Sequence, residues 1–235
     1  MAHRDVAENL TRLRERMAAA CVRAGRDPSR VTLVAVSKRV ALDRVAAAVA
    51  AGQRDLGENR LPEAVDRQAE LAARFAEPPA VRWHFIGHLQ RNKAVRAAGR
   101  FHLIHGVHSV DLAARLSRQA AALSLVQPVL LQVNVTGEPQ TDGLDPAELV
   151  DTAARVADLA HLELRGLMCM ARYGDPEPAL RRTFAALRDL RDRAAASLGK
   201  ALPELSMGMS DDFEAAIAEG ATLVRIGTAI FGERG

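Results

Sequence analysis

The feature that most restricts the fold of this chain is an alternation. Short strand-like runs at 31–37, 54–57, 82–86, 102–107, 129–135, 163–168, 204–207 and 223–226 are separated by segments of helical periodicity. The helical patterns fall at 42–51, 62–75, 113–123, 146–159, 179–198 and 212–219. Strands that run in one direction need a crossover between them, and a helix is the usual crossover, so this rhythm predicts a parallel α/β fold. Ahead of it Val6, Leu10, Leu13, Met17 and Cys21 recur at spacings of three and four, the apolar face of a further helix that Gly25 and Pro28 end. Eight strands favour closure. The expectation is a single (β/α)8 TIM barrel with an extra N-terminal helix, one domain over residues 1–235, with an open doubly wound sheet as the structural alternative.

Composition narrows the function classes. An apolar fraction of 49% in 235 residues can fill one large core. No uncharged apolar run is long enough to cross a bilayer, and Met1, Ala2, His3, Arg4 and Asp5 lack the apolar stretch of a secretory leader. A soluble, cytoplasmic protein without membrane contact is expected. Cys21 and Cys169 form no CxxC pair, so neither a disulfide framework nor a thiolate zinc site is signalled. The net charge of +3 is spread along helical faces among acidic residues, without a basic block or interleaved aromatics, which argues against nucleic-acid binding.

The basic residues carry a sharper signal. Of 32, only Lys38, Lys93 and Lys200 are lysines. A guanidinium keeps its charge at any ordinary pH, whereas a primary amine can lose its proton and form an imine. In a barrel, chemistry sits at the C-terminal ends of the strands. Lys38 stands there, directly after the apolar run Val31-Thr32-Leu33-Val34-Ala35-Val36 and Ser37. Two further strand ends read as anion cradles: Ser206-Met207-Gly208-Met209-Ser210-Asp211-Asp212 leads into a helix, and Arg225-Ile226-Gly227-Thr228 closes the last strand. Small residues let backbone N–H groups approach a phosphate, hydroxyls add donors, and the loops after strands seven and eight are a recurrent phosphate site. A helix cap at Ser210 and a tight turn at Gly227 are the plain structural reading of the same residues.

The segments Val34-Ala35-Val36-Ser37-Lys38, Leu56-Gly57-Glu58-Asn59, Trp83-His84-Phe85-Ile86-Gly87, Leu89-Gln90-Arg91-Asn92-Lys93, Arg165-Gly166-Leu167-Met168, Leu205 to Asp212 and Val224 to Gly232 resemble the pyridoxal phosphate homeostasis proteins, relatives of the N-terminal barrel of alanine racemase. The resemblance implies a pyridoxal 5′-phosphate (PLP) binding protein that acts in vitamin B6 homeostasis, not an established enzyme. It implies a Schiff base on Lys38, a phosphate held by Ser206, Ser210, Gly227 and Thr228 with Met209 in the same loop, Arg225 facing the pyridine nitrogen, and Asn59 and His84 beside the ring. An arginine there leaves the ring nitrogen unprotonated and weakens the cofactor as an electron sink. For His84 a hydrogen-bonded core histidine is the other reading.

The chain departs from the family pattern in its histidine-rich segment His102 to Asp111 and at Gln140-Thr141-Asp142-Gly143, where many relatives carry a lysine before the glycine. The histidines raise metal binding as a rival. Strand alternation sends His102, His105 and His108 to different faces, so no metal site is expected. The second rival is a PLP-dependent amino-acid racemase or lyase, which needs a second acid/base group opposite the lysine. The single tyrosine, Tyr173, lies in a loop after the sixth strand, and no further domain is expected beyond the barrel. A monomeric carrier with an open barrel mouth, passing PLP to apo-enzymes, is the expected role.

Overall fold

A computed structural model describes residues 6–232; the first five residues, read above for a leader, lie outside the described residues. Eight parallel strands pair in chain order: β1 (Thr32–Val36), β2 (Asp55–Glu58), β3 (Arg82–Phe85), β4 (Leu103–Val107), β5 (Gln127–Gln132), β6 (Leu162–Met168), β7 (Glu204–Ser206) and β8 (Leu223–Ile226). β1 closes the ring against β8, with Val34 opposite Arg225 and Ala35 opposite Ile226. The barrel therefore stands and the open sheet is excluded. Around it lie α1 (Val6–Arg23), α2 (Leu42–Ala50), α3 (Leu61–Ala72), α4 (Ala94–Ala97), α5 (Val110–Ala122), α6 (Leu149–Ala157), α7 (Glu177–Leu198), α8 (Phe213–Ala218) and α9 (Thr228–Phe231).

The extra helix α1 buries the face foreseen from its spacing, Val6, Leu10, Leu13, Met17 and Cys21. It packs on α2, α8 and α9, and Arg16 and Arg23 both reach Glu214 of α8 at 3.0 and 2.7 Å. Each fully buried leucine on that face contributes about 2 kcal/mol, and the exposed ion pairs much less. Helix ends follow local chemistry: the Ser109 hydroxyl accepts from the Leu112 N–H to start α5, and Gly199 ends α7 in the left-handed conformation, φ 59°.

Two elements differ from expectation. β5 stops at Gln132 rather than running to residue 135, because Gln132 O and Asn134 N–H bond to Leu144 of the returning loop. Asn134 then organises that loop, its side-chain amide donating to Glu138 O and Thr141 O. The short helix α9 has no counterpart in the helical patterns. Four residues are too few to show a period, and α9 had read as a Gly-Thr turn.

The core has two compartments. The larger joins the helices to the outer faces of the strands. The smaller, Val34, Leu103, Leu130, Met168 and Leu223, draws one residue each from five strands and none from a helix, which places it inside the barrel. It fills only part of that interior.

Candidate functional site

Lys38 is set by two fasteners. The Ser37 N–H donates to Gly57 O at 3.0 Å, and its buried hydroxyl donates to Glu58 Oε1 at 2.6 Å. On the far side of the turn, Arg67 of α3 donates to Val40 O at 2.6 Å and lies 3.5 Å from Glu58. Burial pushes the Glu58 carboxyl above its ordinary value, with Ser37 and Arg67 working the other way. Lys38 itself is half-buried and lies in the turn two residues beyond the end of β1.

The neighbouring strand ends meet it. A Cβ on Gly227 would come 3.3 Å from Val36 O, so a residue without a side chain lets the start of α9 close on the strand that carries Lys38. The first N–H groups of a helix have no helical partner, and here they lie beside the exposed hydroxyl of Thr228. In the loop after β7, Gly208 has φ +94°, and a Cβ there would lie 2.7 Å from Ala216 Cβ. That loop is braced by Asp212, whose carboxylate accepts from the Met209 N–H, and by Arg225 N–H donating to Gly208 O at 2.9 Å. Burial raises the Asp212 carboxyl, against the pull of the Met209 N–H and Arg225. Met209 and Ser210 are half-buried, and Met209 shares a 200 Å³ cleft with Tyr173, Leu180 and Asp211. Tyr173 is 86% exposed.

Beneath this mouth runs a feature that the sequence did not suggest. Asp55 Oδ1 lies 3.0 Å from His84 Nε2; His84 Nδ1 lies 2.9 Å from His105 Nε2; His105 Nδ1 lies 2.8 Å from Ser206 Oγ; and Arg225 Nη1 donates to Ser206 Oγ at 2.6 Å. All five residues are buried and come from β2, β3, β4, β7 and β8. At the lower end Arg82 grips Asp55 with a two-pronged fork, 2.7 and 2.5 Å. At the upper end Arg225 Nη2 donates to Cys169 O at 2.9 Å. Burial works to raise the Asp55 carboxyl, but hydrogen bonds from His84 and Arg82 outweigh it and hold it below its ordinary value. Burial drives His105 well below 6.5, helped by the charges of His84 and Arg225, and it pushes the Cys169 thiol up to about 12.

The expected residues thus fall into two sets. Lys38, Asn59, Met209, Ser210, Gly227 and Thr228 stand at the C-terminal strand ends or in the segments that follow them. His84, Ser206 and Arg225 lie inside the barrel and are joined through His105. Asn59 also opens, with Lys93, Arg60 and Gln90, onto a 370 Å³ groove between the ends of β2 and β3. Sequence reasoning passed over Asp55 and His105. It compared His102, His105 and His108 only along their own strand, whereas the partner of His105 is on β3. His102 lies edge-on to His84 at 5.6 Å, and His108 stacks on His88 at 4.6 Å, with Asp142 paired to His88. Among the described residues no three His, Cys, Asp or Glu side chains gather as a metal ligand set.

Known proteins are similar in sequence and share this barrel. Residues 6–235 match the model of the family described as alanine racemase, N-terminal domain. The pyridoxal phosphate homeostasis protein of Pseudomonas aeruginosa PAO1 is 47% identical over 229 residues, 97% of this chain and 96% of that one. The structure of PipY from Synechococcus elongatus PCC7942, with PLP bound, is similar at TM-score 0.85 and 38% identity, over 97% of this chain and 100% of that one. Alanine racemase from Bartonella henselae shares the barrel at TM-score 0.73 with 17% identity, over 100% of this chain and 60% of that one. By sequence along nearly its whole length and by the barrel it forms, the chain belongs to the pyridoxal phosphate homeostasis protein family.

Proposed function

We propose that this protein binds PLP as a Schiff base on Lys38 and serves intracellular vitamin B6 homeostasis as a cytoplasmic, monomeric, single-domain carrier. One observation carries the reading: the amine-bearing turn after β1 abuts the start of α9 through Gly227 and Val36, next to the strand that bears the buried Arg225. An amine, a set of free helical N–H groups and a fixed guanidinium match the aldehyde, phosphate and ring nitrogen of PLP. The 38% identical PipY carries PLP in its structure, which supports the assignment.

In this reading the N–H groups of Gly227 and Thr228, with the Thr228 and Ser210 hydroxyls, hold the phosphate, and Met209 and Asn59 border the ring. Arg225 presents a donor to the ring nitrogen; burial lowers its pKa, yet the guanidinium stays charged. Bound PLP supplies an electron-withdrawing ring for amine chemistry, and a permanent donor at its nitrogen limits that withdrawal. This favours carriage of the cofactor over racemase or lyase turnover. Tyr173, at 86% exposure, is free to contact solvent and is not held as an acid/base group.

The test is the visible absorption spectrum of the purified protein and of Lys38→Ala, before and after borohydride. The parent is expected to show a Schiff-base band that reduction fixes at Lys38, and the variant to lose it entirely. A parent that takes up no PLP overturns the cofactor assignment. The carrier role is checked by activation of an apo PLP-enzyme, which must proceed faster with the loaded protein than with free PLP. Racemisation of an amino acid by the loaded protein would favour the enzyme reading instead.

A further inference from the structure

We propose that Asp55, His84, His105 and Ser206 form a proton relay between the mouth of the barrel and a buried carboxylate–imidazole pair, with His84 and His105 as positioning residues. The connection to PLP rests on the function proposed above; the relay itself does not.

The chemistry of the two ends fixes the direction of the chain. Asp55 as a carboxylate only accepts hydrogen bonds, and Arg225 only donates them. With both imidazoles neutral, one assignment satisfies every contact. His84 Nε2–H donates to Asp55, His105 Nε2–H donates to His84 Nδ1, the Ser206 hydroxyl donates to His105 Nδ1, and Ser206 accepts from Arg225. Ser206 then has no proton to offer a ligand.

A second assignment satisfies the same contacts and differs by one proton. A proton arriving from the mouth bonds to Ser206 Oγ while the original hydroxyl proton passes to His105 Nδ1. The Nε2 proton of His105 passes to His84 Nδ1, so His84 becomes an imidazolium against Asp55. Three protons each shift by one hydrogen bond, no heavy atom moves, and the net change is one proton gained. Ser206 now accepts from both His105 and Arg225, and its O–H is released toward the mouth.

The surroundings decide where the proton rests. Asp55 is held as a carboxylate by its hydrogen bonds to His84 and Arg82, so a counter-charge waits at His84. Burial opposes charge on His105, which therefore passes the proton on rather than keeping it. His102 before β4 and Arg225 on β8 also oppose positive charge on His105, and Arg82 on β3 shares Asp55 with His84. Asp212 and Cys169 act on the Arg225 end.

The test uses the full-length, PLP-free protein labelled with nitrogen-15, following histidine ring nitrogens by NMR through the neutral pH range. The expected result is that His105 exchanges its Nε2–H form for the Nδ1–H form with the same midpoint at which His84 becomes an imidazolium. In Asp55→Asn that shared midpoint falls by about one to two pH units, and in His84→Gln the exchange at His105 disappears. A His105 that keeps one tautomer while His84 titrates, or a His84 that never takes a proton while the protein stays folded, overturns the relay. In the loaded protein the pH profile of the Schiff-base band is expected to shift by about one unit between parent and His84→Gln. Absence of PLP uptake would sink the cofactor assignment and leave the NMR result standing.

Discussion

The interior of this barrel is filled in two unlike ways. On one side Val34, Leu103, Leu130, Met168 and Leu223 form an apolar plug, the packing usual for such barrels. On the other, Asp55, His84, His105, Ser206 and Arg225 form a hydrogen-bonded string. Both are buried, and β4 and β8 contribute to each: Leu103 and His105 are two residues apart, as are Leu223 and Arg225. The plug is stabilised by area and needs only volume. The string is stabilised only while every member keeps its partner, because an unpaired buried polar group costs about 1–3 kcal/mol. A barrel that held nothing at its mouth would gain little from the string. Its upper end is Arg225, which the proposed function sets against the cofactor ring, and that proposal gives the polar half its purpose.

Leu130→Ala is expected to have the largest effect, a loss of about 3 kcal/mol of stability, since Leu130 is fully buried and the closed ring limits collapse of the cavity. Chemical denaturation of the PLP-free protein measures it. His105→Leu keeps roughly the volume but strands His84 Nδ1 and the Ser206 hydroxyl, one of which can turn to another partner. A loss of about 2 kcal/mol is expected. If His105→Leu instead leaves stability unchanged, the string is merely another way of filling space and the contrast between the halves falls.

The same division shows what could be read in the sequence. Most of the strands were legible because they are short apolar runs bounded by polar residues, and parallel strands covered on both faces write that pattern plainly; β2 (Asp55–Glu58) and β7 (Glu204–Ser206) were read from the β/α rhythm around them. The position of Lys38, Gly227 and Thr228 just past strand ends was legible because the apolar runs before them end there. The short α9 was not, having too few residues for a period. The pairing of His105 with His84 was not legible either. Periodicity says which face of its own strand a residue takes, but the distance across to β3 depends on strand register and on the irregular pairing of β4 with β5. Asp55 looked like a polar residue at the start of a strand, and nothing nearby in the chain marks it as the partner of His84.

A pH measurement sharpens the contrast without altering the chain. The plug has no titratable member, so its contribution does not change with pH. His105 in the folded protein lies well below 6.5, the value expected for it in the unfolded chain. Above that value both states hold it neutral. As the pH falls below 6.5 the unfolded chain binds a proton that the folded protein refuses, so stability declines until the folded value is reached. The slope for one such group is about 1.4 kcal/mol per pH unit. Asp55 acts in a separate, more acidic window: its folded value lies below 3.8, so its contribution is complete above 3.8 and is lost only as the pH falls through the folded value. Denaturation curves for the parent and His105→Gln, compared just above and about one unit below 6.5, isolate the histidine. The parent should lose about 1 kcal/mol more than the variant over that step. Equal losses would mean that His105 accepts its proton in place, and the string would then hold charge at its centre instead of passing it to His84.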